Sequence, residues 1–172
     1  MDPDAVVGQF GIAEGMRIAD FGCGTGHIGV ILAQKVGKDG KVTALDVMED
    51  KLDSIRSRAK AAGLENIDTV RANLEVLGSS GLPDASQDVV VVINILFQST
   101  KKQEILAEAK RVLKPAGKLI LADWKKGVKG LGPPDELRTD ESQMQALCVQ
   151  AGFSGAQPFD AGQFHYGFMF KK

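Results

Sequence analysis

RIADFGCGTGHIG, residues Arg17 to Gly29, joins a short apolar strand to a helix through a loop dense in glycine. Gly22, Gly24 and Gly26 carry no Cβ at the points where the backbone must turn sharply and let a ligand lie against it. The helix that follows directs its unpaired N–H groups at the same place. Asp20 stands just before the loop, at the carboxyl end of the strand. A carboxylate there repels a pyrophosphate and attracts an amino group, so the loop favours a ligand that carries positive charge.

Gly24 to Gly29 also satisfies the dinucleotide spacing G-x-G-x-x-G, which many unrelated βα turns share. Asp46 adds a second constraint. It ends the next strand, KVTALDV, 20 residues beyond Gly26, where a carboxylate accepts from both ribose hydroxyls of a bound nucleotide. The structural alternative for Asp46 is a cap on the helix that follows.

With two acids bracketing the loop, the chain resembles the class I S-adenosylmethionine-dependent methyltransferases. Asp20, Gly22, Gly24 and Gly26 match that family's first motif, an acid followed by G-x-G-x-G, and Asp46 matches the acid ending its second strand. RVLKPAGKLILAD, Arg111 to Asp123, resembles the late helix–turn–strand motif R-x-L-K-P-G-G-x-L, with Ala116 in place of the first glycine. The resemblance spans nearly the whole chain. It implies an α/β fold: a doubly wound, mostly parallel seven-stranded sheet in the order 3-2-1-4-5-7-6, with strand seven antiparallel, between two layers of helices. It implies S-adenosylmethionine as cofactor and S-adenosylhomocysteine as product. Carried over position by position, the cofactor residues are Asp20, Gly22, Cys23, Gly24 and Gly26 in the loop and Asp46 with Val47 after strand two. Asn73 and Leu74 follow strand three, where the family often has an acid near the adenine amino group; Asn73 serves equally well as a loop cap. Asn94, Ile95 and Leu96 follow the central strand, beside the methionine part.

Composition narrows the rest. A chain of 172 residues makes one domain with a sizeable core, here 1–172 with a short N-terminal helix over 2–10 and no large cap domain. With 21 Lys+Arg against 22 Asp+Glu there is no global signal for nucleic acid or an anionic membrane. Cys23 and Cys148 have no ligand pair beside them, so neither a disulfide framework nor a metal site is expected. No apolar run approaches the roughly 20 residues that span a bilayer, and the N-terminus reads as no signal peptide, so a cytoplasmic protein is expected.

Apolar spacing places helices at Ile28 to Val36 and Glu49 to Ala62, and a third strand at Ile67 to Asn73. DVVVVIN, Asp88 to Asn94, is β-branched and apolar almost throughout, which marks a central parallel strand covered on both faces. Thr100 and Gln103 predict a capping box for a helix stopped by Pro115, followed by a fifth strand over Gly117 to Trp124. Asp140 caps a last helix, and strands near Ala156 to Phe159 and Phe164 to Phe170 close the chain. Lys125, Lys126 and Lys129 lie in a glycine-rich loop that reads as mobile and cationic, suited to an anionic acceptor or simply to solvent. GLGPPDELRT, 130–139, is the internal candidate for a lid, with Gly130 and Gly132 as hinges; a second copy of the chain in a homodimer, or a large acceptor, are the other ways to cover the pocket.

Methyl transfer from a sulfonium expels a neutral thioether, so positioning supplies much of the rate and no catalytic triad is required. An amine or hydroxyl acceptor still loses a proton, and His165, Asp123 and Glu136 are the candidate bases. Two other functions stay open on sequence alone. One is an NAD-binding oxidoreductase, favoured by Gly24 to Gly29 with Asp46 and opposed by Asp20; the other is a cofactor-binding regulatory protein without turnover.

Overall fold

The computed structural model describes residues 1–172. Seven strands, β1 (Arg17–Phe21), β2 (Lys41–Asp46), β3 (Ile67–Arg71), β4 (Gln87–Ile93), β5 (Leu113–Trp124), β6 (Ser154–Pro158) and β7 (His165–Lys171), form one sheet in the order β3-β2-β1-β4-β5-β7-β6. β7 runs antiparallel to β5 and β6, and the pairings among β1 to β5 are parallel. Helices α1 (Pro3–Val7), α2 (His27–Val36), α3 (Glu49–Ala61), α4 (Lys102–Val112) and α5 (Glu141–Gln150) connect and cover the strands. This is the topology that the resemblance implies. No helix is long and apolar enough to cross a membrane.

β4 shows why the sheet is covered twice. Its alternate side chains feed different cores: Val90 and Val92 pack with Leu106, Leu119, Met144 and Phe170, while Val89 and Val91 pack with Ile18, Leu32, Val36 and Phe10. A strand with apolar burial on both faces has no polar side to present to water, and the run of valines follows from that.

Three local expectations are corrected. The first helix stops at Val7, short of residue 10, although Phe10 remains buried and meets the Phe159 ring edge-on at 5.3 Å. The capping box is not formed: α4 starts at Lys102, and the Ser99 hydroxyl, one residue before Thr100, accepts from Lys101 N–H at 2.9 Å. Gln103 instead donates to Leu147 O at 3.0 Å and ties α4 to α5. α4 ends at Val112, ahead of Pro115 as expected, but the fifth strand starts earlier than Gly117, because a proline forces the residue ahead of it into extended backbone. β5 therefore begins at Leu113, with an irregular register between Gln87 and Val89. Ala116 is exposed at this turn, so the methyl group that replaces the family's glycine projects into water.

The long loop after β3 is tied to the body by an internal ion pair. Glu108 is fully buried and pairs with Arg111 at 2.7 Å, while Arg111 reaches on to Leu82 O and Asp84. Burial alone would raise the Glu108 pKa; Arg111, the Ser80 hydroxyl and Gly78 N–H outweigh it and hold the carboxyl down to about 2.

Candidate active site

Parallel strands place their carboxyl ends on one edge, and the turn after β1 lies on that edge. Gly22 and Cys23 donate to Leu45 O at 2.8 and 3.0 Å, which folds the loop over the end of β2. Gly22, Gly24 and Gly26 all have positive φ, at 71°, 51° and 84°. A Cβ at Gly22 would fall 2.2 Å from the Ile95 side chain, whereas nothing lies within 4 Å of the Cβ position at Gly24. The loop is packed tightly below and open on its outer side.

Asp20 ends up buried beneath this loop, 3% exposed, and its Oδ2 has no hydrogen-bond partner. Burial raises its pKa to about 7, and the negative charge of Asp46 adds to the effect. Asp46 is held by backbone donors, with Gly24 N–H on Oδ2 and Met48 N–H on Oδ1, both at 3.0 Å. α3 takes Met48, not Asp46, as its N-terminal cap residue. The carboxylate is thus oriented by the glycine loop itself, with lone pairs left for a ligand.

A cleft of about 480 Å³ runs from this loop across the sheet edge and is lined by Gly22, Gly24, Asp46, Val47, Asn73, Leu74 and Asn94 among others. Seven of the ten residues Asp20, Gly22, Cys23, Gly24, Gly26, Asp46, Val47, Asn73, Leu74 and Asn94 therefore share one cavity wall, and Ile95 joins them. The other three lie behind it. Asp20 sits below the loop, Cys23 is buried with its sulfur 3.8 Å from Gly24 O, and Gly26 packs against Ile55 of α3. Asn73 also caps its own loop, its Oδ1 accepting from Glu75 N–H at 3.1 Å. Asn94 adopts φ 56° and buries an unpartnered Oδ1. Met48, Lys51, Gln98 and Ser99 line the cleft too and escaped the sequence reading. The motifs stop at strand ends, and nothing in the sequence marks these four residues.

The proposed bases do not line this cleft. Asp123 is buried, and each of its oxygens accepts from one backbone donor, Phe97 N–H at 3.0 Å and Trp124 N–H at 2.8 Å. Burial lifts its pKa to about 6 against the pull of those two bonds and of Lys102. His165 is buried, stacks on Trp124 with ring centres 4.1 Å apart, and neither ring nitrogen has a partner. Burial, reinforced by neighbouring positive charges including Lys125 and Arg138, pushes its pKa down to about 4 and keeps it neutral. Glu136 is exposed in the short 3₁₀ turn Asp135–Leu137.

The loop after β5, read from sequence as a mobile lid, is clamped. Arg138 is buried and donates to the carbonyls of Lys125, Val128, Leu131 and Pro133 at 2.7 to 2.9 Å, with its guanidinium 5.8 Å from the Trp124 ring centre. Gly132, expected to hinge, lies against that ring: a Cβ there would sit 2.5 Å from it. The lysines do not converge on one point, since Lys125 reaches Gly162 O at 3.5 Å while Lys126 and Lys129 are exposed.

Compared with known proteins, residues 12–165 match the family described as methyltransferase domain. The chain belongs to that family. A SAM-dependent methyltransferase from Aquifex aeolicus superposes with a TM-score of 0.89 at 29% identity, over 99% of this chain and 89% of that one. A demethylmenaquinone methyltransferase of Listeria welshimeri is 33% identical over 112 residues, 65% of this chain and 46% of that protein. An arsenite methyltransferase of Aquipseudomonas alcaligenes is 33% identical over 134 residues, 76% of this chain and 38% of that protein. This methyltransferase domain thus spans less than half the length of those two curated relatives. Membership sets it with the methyltransferases and apart from the NAD-dependent oxidoreductases.

Proposed function

We propose that this domain binds S-adenosylmethionine in the cleft and transfers its methyl group to an apolar acceptor presented at the sheet edge. The observation that carries the cofactor reading is the buried, unpartnered Oδ2 of Asp20 under a glycine loop whose outer side is open. A buried carboxylate without a partner is costly, and the positive charge of the cofactor's methionine part, held across the glycine loop, would offset it. Asp46, oriented by Gly24 and Met48, would accept from the ribose hydroxyls, and Val47, Leu74 and Ile105 offer the adenine an apolar wall. When bound, the cofactor supplies an electrophilic methyl on a sulfonium with a neutral leaving group. The domain's part is to orient, to desolvate and to leave one side open to the acceptor.

The acceptor class follows from the rim. Six of the seven large exposed apolar residues lie in loops at the carboxyl edge: Val47 and Met48 after β2, Val76 and Leu77 after β3, and Leu131 and Leu137 after β5. Clustered apolar exposure marks a binding surface. Of the two chemistries that the relatives' names print, the rim favours an apolar ring system such as demethylmenaquinone over arsenite. Arsenite is thiophilic, and both thiols here are buried with raised pKa values, Cys148 to about 12. The test is transfer of label from methyl-labelled S-adenosylmethionine into fractions of a cell extract. Label in the solvent-extractable lipid fraction is expected. Tight cofactor binding with no labelled product in any fraction would favour a regulatory protein without turnover.

A further inference from the structure

One wall of the cleft is the segment between β4 and α4, and it is pinned to β5 at two successive residues. Asn94 N–H donates to Ala122 O at 2.9 Å, and Phe97 N–H donates to Asp123 Oδ2 at 3.0 Å. At the first of these points Asn94 holds a left-handed φ of 56°, a conformation uncommon outside glycine that asparagine accepts more readily than most side chains. Such a conformation persists only where the surroundings enforce it. Asn94, Ile95, Gln98 and Ser99 from this segment line the cleft, and Ile95 lies over Gly22.

Asp123 meets the other half of the edge as well. Its Oδ1 accepts from Trp124 N–H at 2.8 Å, and Trp124 is the residue on which His165, Gly132 and Arg138 converge. Two backbone donors face two carboxylate oxygens, with the charge of Lys102 nearby. An amide could serve only one donor with oxygen and would set an NH₂ against the other.

We propose that Asp123 is a positioning residue, whose carboxylate holds the wall Asn94 to Ser99 in its cofactor-binding shape and in register with the acceptor-side loop that starts at Trp124. It is not placed to serve as a base, because it is buried and does not line the cleft. The inference rests on the cofactor reading above and concerns the amino-acid end of the ligand, where Asn94 and Asp20 face the glycine loop.

The experiment uses S-adenosylhomocysteine and adenosine as probes, titrated calorimetrically at pH 7.5 into wild type, Asp123→Asn and Asp123→Ala, with amide exchange of Phe97 followed by NMR in the free proteins. Both variants are expected to weaken S-adenosylhomocysteine about tenfold or more and to leave adenosine within about twofold. Phe97 exchange should rise at least tenfold while Leu119 to Leu121 in β5 keep their rates. If Asp123→Ala does not fold, Asp123→Asn decides alone. Equal losses for both probes would reduce Asp123 to general stability, and unchanged affinity for S-adenosylhomocysteine would overturn the proposal. A wild type that binds neither probe would sink the cofactor reading instead, and Phe97 exchange would still report on the latch.

Discussion

The two halves of the sheet edge are built on opposite terms. On the β1–β2–β4 side, buried polar atoms lack partners within the chain: Asp20 Oδ2 and Asn94 Oδ1 accept nothing, and Asp46 is oriented by backbone donors without being used up. On the β5–β7 side the polar groups of the loop after β5 are spent internally, and the exception is His165, whose ring nitrogens stay unpartnered against Trp124. Arg138 gives its donors to four loop carbonyls, and the Tyr166 hydroxyl donates to Thr139 O at 3.1 Å, leaving Leu131 and Leu137 facing outward. Unmet hydrogen-bonding capacity in a buried place marks where a polar ligand of fixed shape belongs. A self-satisfied loop with apolar side chains on its outside instead makes a surface that selects by shape and hydrophobicity. On the function proposed above, the first side would hold the methyl donor, and the second would be a scaffold on which a few exposed residues set acceptor preference.

That contrast can be broken from either side. Replacing Asp46 by alanine should have the largest effect, weakening S-adenosylmethionine by roughly 3 kcal/mol, more than a hundredfold, since it removes ionised acceptors and frees the glycine loop together. Calorimetry on the folded variant checks it, and a loss below about threefold would make Asp46 a structural brace. Arg138→Ala should leave cofactor affinity alone and cost about 2 kcal/mol of stability, with the 125–134 loop losing hydrogen-exchange protection. Arg138→Lys should not restore that protection, because an ammonium cannot reproduce the planar fork. Cofactor binding that falls along with Arg138 would show that the halves are less separate than described.

Asp20→Asn sharpens the comparison through pH. The folded state raises the Asp20 pKa from 3.8 to about 7 and so binds its proton more tightly than the unfolded chain. The favourable contribution is fully present below about pH 4 and is lost as pH rises through 7. The asparagine variant should therefore be more stable than wild type at pH 8, by roughly 1 to 2 kcal/mol, with the gap closing toward pH 4. It should also lose most cofactor binding. Chemical denaturation at the two pH values gives the comparison, and a variant less stable at pH 8 would mean that the Asp20 charge is compensated within the fold.

The donor half was legible in the sequence because its chemistry is local. Asp20 to Gly26 is one continuous run, Asp46 lies at a strand end that periodicity locates, and the valines of β4 announce a doubly covered strand. The acceptor half was not. Arg138 recognises backbone carbonyls, which every residue possesses, so nothing in 125–134 marks its partners, and Gly132, which suggests a hinge, is there for close packing on Trp124. Asp123 was visible as an acid near the site, but only the fold reveals that Phe97, 26 residues earlier, supplies its donor. The misplaced start of α4 has a similar origin: Thr100 and Gln103 fit the capping pattern locally, but Gln103 is drawn to Leu147 O, and the Ser99 hydroxyl, held by Glu75 at 2.7 Å, accepts from Lys101 N–H.

The most direct test of the account is a calorimetric titration of the unmodified protein with S-adenosylmethionine and, separately, with NAD at pH 7.5. One molecule of S-adenosylmethionine should bind per chain at micromolar concentrations, with no heat from NAD beyond dilution. Saturable NAD binding with no response to S-adenosylmethionine would contradict the assignment of Asp20 and the glycine loop on which the proposal stands.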